Sequence, residues 1–197
     1  MSSEAWAKDA SAATLQVGLV LLGLSCAVAL RWLTSGAQGV QSVTGGLVFA
    51  GSLAALSCAA GLPAPRHLTV SVLSGTMAGL MLAGAALLRL GLPTSSAGGL
   101  DRFLPWIAIA ATVAVTEEAF LRGALFDLIL RLHGESAAVI IGAGVFAGLH
   151  VPLYGWQVLP LDFAVGLLLG TLRLLTGSWA SPAVAHVLAD AAGWWVR

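Results

Sequence analysis

Three stretches of this chain place polar or aromatic side chains four residues apart within apolar sequence. They are Glu117-Glu118 with Arg122, Phe146 with His150, and His186 with Asp190. On a helix, residues four apart share a face, whereas adjacent residues diverge by about 100°. Glu118 and Arg122 therefore face the same way, in the favourable acid-before-base order, and are expected to form an internal ion pair. Glu117 is left to face a cavity, where a carboxylate suits taking a proton from water. Each stretch also has a plainer structural reading. The acidic pair and Arg122 can be a packing network, His150 a hydrogen-bonded interior histidine, and His186 with Asp190 a local pair. Together, however, they offer two imidazoles and two carboxylates from three helices, which a bundle can bring to one interior site.

That set of groups points to amide hydrolysis by an activated water. A carboxylate and an imidazole can activate the water, while a second imidazole and a polar neighbour stabilise the oxyanion. The same Glu117, His150 and His186 could instead ligate zinc and leave a position open for water. Neither route needs a covalent intermediate. Other hydrolase chemistries lack their motifs. There is no His-Glu-x-x-His, no Gly-x-Ser-x-Gly or Gly-x-Ser-Gly, and no Gly-x-Gly-Asp.

The elements that must hold these residues are membrane spans. The chain has 197 residues, 58% hydrophobic and only 9% charged, with nine Lys+Arg against nine Asp+Glu. Soluble domains carry about 25% charged residues, so an ordinary water-soluble fold is excluded. A mean hydropathy of +0.94 agrees. Nucleic-acid binding is disfavoured, because it needs a basic surface. Residues 1–11 are polar and do not form a convincing signal peptide. Apolar runs are expected as spans at 14–33, 40–61, 68–90, 103–132, 137–153, 158–175 and 179–196, giving about seven helices, within bounds of six to eight. The fourth run would be about 45 Å of helix, longer than a hydrocarbon core of about 30 Å, so it must tilt, break or leave the membrane. The longest polar stretch, 91–102, separates the third and fourth runs.

Several secondary expectations follow. Gly75/Gly79, Gly144/Gly148 and Gly166/Gly170 have the spacing that lets helix backbones approach closely, a spacing also common by chance in a chain with 24 Gly. Arg31, Arg89, Arg131 and Arg173 lie near segment ends and are read as snorkelling or solvated. Cys26 and Cys58 are read as small packing residues, and Trp156, Trp179, Trp194 and Trp195 as membrane-interface residues. Basic residues divide evenly between the two sides, so orientation is not assigned. Solute transport is disfavoured, because the charges cluster in the C-terminal half and no internal repeat is evident.

Glu117-Glu118-x-x-x-Arg122, Phe146-x-x-x-His150 and His186-x-x-x-Asp190 occur in the order and rough spacing of the CPBP family. These are the CAAX-protease and bacteriocin-processing intramembrane proteases, also called Abi or type II CAAX prenyl endopeptidase-like proteins. The resemblance covers about residues 106–194. It implies an all-α, multi-span transmembrane helical bundle acting as an endopeptidase on a peptide or protein substrate such as a C-terminal tail, sorting signal or leader. Within it, Glu117 and His150 would activate water, and His186 with residue 190 would form the oxyanion site. Glu118 and Arg122 would be the structural ion pair, and Phe146 a packing residue. Eukaryotic prenyl-protease members carry Asn where this chain has Asp190, and an ionised Asp offers no N–H donor. Asp190 is therefore protonated, orients His186, or is a metal ligand. The implied cofactor is none, with zinc on Glu117, His150 and His186 as the alternative. The expected organisation is one membrane domain over 1–197, with motif-free, variable spans in 1–102 and the catalytic core in 103–197. Expected partners are membrane lipid and the peptide or protein substrate, with no nucleic acid. The expected location is a bacterial inner membrane. A catalytically silent peptide-binding or immunity protein is the alternative.

Overall fold

The computed structural model describes residues 3–36, 39, 42–90 and 99–195. The fold is all-α. Its helices are α1 (Ser3–Ser35), α2 (Val43–Ala59), α3 (Leu68–Leu90), α4 (Leu100–Glu118), α5 (Phe126–Tyr154), α6 (Leu159–Thr176) and α7 (Ala180–Trp195). A π-helical segment, Ala119–Leu125, joins α4 to α5 without interruption. Most of the expected 91–102 polar stretch lies outside the described residues.

Local sequence explains the boundaries. Ser42 caps α2, its hydroxyl accepting the Gly45 N–H at 3.0 Å, which satisfies one of the donors left free at a helix start. After α2, Pro63 and Pro65 lie in the non-helical connection to α3. The run from Leu100 to Tyr154 is 55 residues of continuous apolar helix, about 80 Å if straight. It does not stay straight: Gly134, with φ 80° and ψ −178°, breaks it. Only glycine adopts that backbone readily. The break falls between the two runs expected from sequence, 103–132 and 137–153.

Three further helical stretches, Thr14–Ser35, Leu68–Leu88 and Trp156–Thr176, are also long and apolar enough to cross a membrane. Large apolar side chains such as Leu22, Met77, Met81 and Leu88 are exposed on the outer surface. In water that surface would be an aggregation hazard; in lipid it is the solvated face. The protein is thus a multi-span membrane protein.

Its core is built around the α4–π–α5 join. All seven residues of the π segment are buried, and Phe120, Leu121, Leu125 and Phe126 join Leu53, Phe146 and Leu169 in the main apolar cluster. Around it, α3 packs along α7, α5 along α6, α1 along α2, and α4 against both α2 and α7. Small residues set two of these contacts. A Cβ added at Gly79 would lie 2.7 Å from Leu188 Cβ, and one at Gly166 2.8 Å from Ala143 Cα. Gly75 and Gly170 likewise face α7 and α5 closely. Gly144 and Gly148 meet nothing within 4 Å, so that third pair makes no close helix contact.

The two cysteines depart from expectation. Cys26 and Cys58 are exposed on α1 and α2, so they face outward rather than pack.

Candidate active site

Glu117 and Glu118 end α4, just before the helix changes to π register. Such segments recur at functional sites. Both side chains are buried, at 4% and 0% exposure, as is Arg122 at 1%. One oxygen, Glu118 Oε1, accepts from Arg122 Nη1 at 2.8 Å and from His186 Nδ1 at 3.0 Å. The ion pair on one helix face is therefore also a bridge to α7. Arg122 extends the network, donating through Nη2 to the Gly166 carbonyl of α6 at 3.1 Å. Its guanidinium lies 4.8 Å from the Phe146 ring centroid.

Phe146 is the packing centre of these groups. Its ring is 4.6 Å from that of His150 and 5.3 Å from that of His186, the latter edge-on. Its carbonyl accepts from His150 Nδ1 at 2.8 Å. A carbonyl only accepts, so Nδ1 carries the proton and His150 Nε2 is left with a lone pair. The carboxylate on His186 Nδ1 fixes that ring in the same way. Both histidines are thus held by Nδ1, with Nε2 left for chemistry.

Glu117, His150 and His186 converge, each offering a ligand atom within 4.8 Å of the others. They line a cavity of about 570 Å³ together with Asp190. The three can hold a metal ion. Two imidazoles, each oriented by an acceptor on its other nitrogen, plus a carboxylate are the donor chemistry of a catalytic zinc site, which takes both rings in their neutral form. A tetrahedral zinc spaces its ligand atoms about 3.5 Å apart, so the set would draw inward on binding.

Asp190 stands apart. Its Oδ2 is 3.9 Å from His186 Nε2, too far for a hydrogen bond, and it is outside the three-residue cluster. Glu118, not Asp190, makes the hydrogen bond that orients His186.

The structure adds residues that the motifs do not reveal. Arg31, expected to snorkel, turns inward, with Nη1 3.7 Å from Glu117 Oε1. Arg173, expected at a solvated segment end, pairs with Asp127 at 2.7 Å and donates to the Arg122 carbonyl inside the π segment at 2.8 Å. The Arg89 side chain lies outside the described residues. Trp194 lines the cavity with Trp106, their rings 4.8 Å apart. The Trp179 indole donates to the Pro63 carbonyl at 2.9 Å. Trp156 is highly exposed, as an interface residue would be. Asp162 on α6 is within electrostatic reach of His150 and His186. No sequence signal marks Arg31 or Asp162, because neither shares a helix with the residues it approaches.

Fold and site together define a membrane-embedded helical protein with a buried Glu/His/His cluster of catalytic or metal-binding type. Residues 99–192 match the family model described as Rce1-like, type II CAAX prenyl endopeptidase Rce1-like. The match runs from α4 through most of α7, just under half of the chain, and takes in all three motifs. No curated protein and no solved structure matches the chain significantly.

Proposed function

We propose that the protein is an intramembrane endopeptidase. It hydrolyses a peptide bond in a peptide or protein substrate, in a C-terminal tail, sorting signal or leader. The observation that carries this reading is the convergence of Glu117, His150 and His186 in one cavity, with both imidazoles anchored through Nδ1.

Glu117 and His150 hold a water between carboxylate and Nε2. Glu117 takes a proton as the water oxygen bonds to the scissile carbonyl carbon. The carbonyl oxygen becomes an oxyanion, and His186, as imidazolium, donates Nε2–H to it. Collapse breaks the C–N bond, and the proton on Glu117 passes to the leaving amine. Asp190, with Oδ2 3.9 Å from His186 Nε2, is the Coulombic partner of that imidazolium. If zinc is bound, Glu117, His150 and His186 are the residues that hold it, and it supplies Lewis acidity to the water and carbonyl. Residues 103–197 form the catalytic core, and a bacterial cell membrane is the proposed location.

Glu117→Gln should lower cleavage by about 10²–10⁴-fold while membrane expression stays intact. The check is mass-spectrometric product analysis with the purified chain. Undiminished processing by this variant would overturn the hydrolytic reading; binding retained with no cleavage by either form would favour a silent peptide-binding protein. Zinc analysis of the same preparation separates the two routes. Near-stoichiometric zinc, lost with activity on chelation, would make this a metalloprotease; metal-free, chelator-insensitive activity would establish water activation by Glu117 and His150.

A further inference from the structure

Arg31 lies on α1, outside the family-matched region, and the three motifs give it no task. Its side chain is 13% exposed and borders the cavity beside Glu117. The guanidinium carbon sits 4.7 Å from the ring centroid of buried Phe49. The helix that carries it is closely seated. A Cβ at Gly45 of α2 would collide with the Ser35 hydroxyl and lie 3.2 Å from the Arg31 carbonyl. The α1–α2 packing therefore fixes the backbone that carries Arg31, and the Phe49 ring of α2 lies against its guanidinium.

The guanidinium has five N–H donors and no acceptor. Glu117, at 3.7 Å, is the only carboxylate within 4 Å of it among the described residues, and that distance is too long for a hydrogen bond. A planar donor fork, lying against Phe49, thus borders the cavity with no hydrogen-bonded carboxylate among the described residues. Arg102 also lines the cavity, but its side chain is exposed.

We propose that Arg31 is a specificity-determining residue that binds a carboxylate of the substrate peptide beside Glu117. The geometry suits it, because a guanidinium takes a carboxylate through two parallel hydrogen bonds. The charge balance also calls for it. Arg31 is a largely buried cation whose carboxylate partner lies beyond hydrogen-bond distance, and a substrate carboxylate at hydrogen-bond distance offsets the cost of burying it. The binding does not depend on the proposed hydrolysis; only its effect on cleavage does.

The test uses the full chain in detergent and three N-palmitoylated apolar hexapeptides: a C-terminal acid, its amide, and the amide ending in Glu. Binding is measured by calorimetry on Glu117→Gln, which mimics the protonated base, and cleavage on the unaltered chain. The acid should bind Glu117→Gln at least about tenfold tighter than the amide, and tighter than it binds the unaltered chain. Adding Arg31→Ala or Arg31→Gln should bring the acid-to-amide ratio close to one, and Arg31→Lys should retain part of it. Recovery of affinity by the Glu-terminated amide would assign the site to side-chain carboxylates; affinity confined to the acid would assign it to the chain terminus. Either result supports the anchor. Equal binding of acid and amide, no binding of any probe, or a ratio that survives both Arg31→Ala and Arg31→Gln would overturn it. An Arg31-dependent ratio without cleavage would sink the hydrolytic reading and leave the anchor standing. Equal cleavage and equal binding of all three would do the reverse.

Discussion

Glu118 carries more than its place beside Glu117 suggests. One of its oxygens bonds both Arg122 and His186, and all three side chains are buried. Removing one member of such a buried pair leaves the other charge uncompensated, at a cost of about 3–5 kcal/mol. Glu118→Ala and Arg122→Ala should therefore lower thermal stability in detergent strongly, whereas Glu117→Gln, which removes only a 3.7 Å ion-pair partner, should not. The two adjacent glutamates should thus separate experimentally, one scored by unfolding temperature and the other by turnover. Much of this was readable in sequence, because it follows from a local rule: Glu118 and Arg122 share a turn of helix, and so do Phe146 and His150. The bond from Glu118 to His186 spans 68 positions and obeys no such rule. Asp190 shows the converse. Its spacing from His186 suggests a hydrogen-bonded pair, yet the hydrogen bond on His186 goes to Glu118.

Helices meet here through glycine where their spacing matters most. The Gly75/Gly79 edge of α3 rests on α7, which carries His186, and the Gly166/Gly170 edge of α6 rests on α5, which carries His150. Gly79→Val and Gly166→Val should each destabilise the fold by about 1–3 kcal/mol through overpacking and should displace the histidine on the facing helix. Gly144→Ala should be neutral or stabilising by up to about 1 kcal/mol, because nothing lies within 4 Å of the added methyl. Thermal unfolding of the three variants side by side checks the contrast. In sequence the three glycine pairs are indistinguishable, since spacing says which residues share a face but not which face meets a neighbour. Element boundaries were more legible. The α5 break falls in the expected gap because Gly134 sits in a short polar interval between two apolar runs. The π segment left no such mark: Ala119–Leu125 is apolar apart from Arg122 and Gly123, and nothing in it distinguishes π from α register.

Across the whole molecule, the outer surface is apolar where a soluble protein would be charged. Cys26 and Cys58 lie on that surface, on helices whose other exposed side chains are largely hydrocarbon. In intact membranes a charged, membrane-impermeant maleimide should fail to label either cysteine, while a small apolar maleimide should label both. Labelling by the charged reagent would place those faces of α1 and α2 in water. Overall composition made the membrane setting plain. It could not show that the first two helices reach the site, because Arg31 and Ser42 enter the cavity wall only through the way α1 packs on α2 and α5, and α2 on α4.

The hydrogen bond from His186 to Glu118 also sets an order in time. The chain emerges from the ribosome N-terminus first, so Glu117, Glu118 and His150 enter the bilayer before α7 exists. Until α7 arrives, Glu118 lacks its imidazole partner, the cavity lacks the wall that carries His186 and Trp194, and the metal-capable trio has only two members. A half-made chain therefore lacks the complete Glu117/His150/His186 cluster, and the proposed hydrolysis cannot begin until α7 is in place.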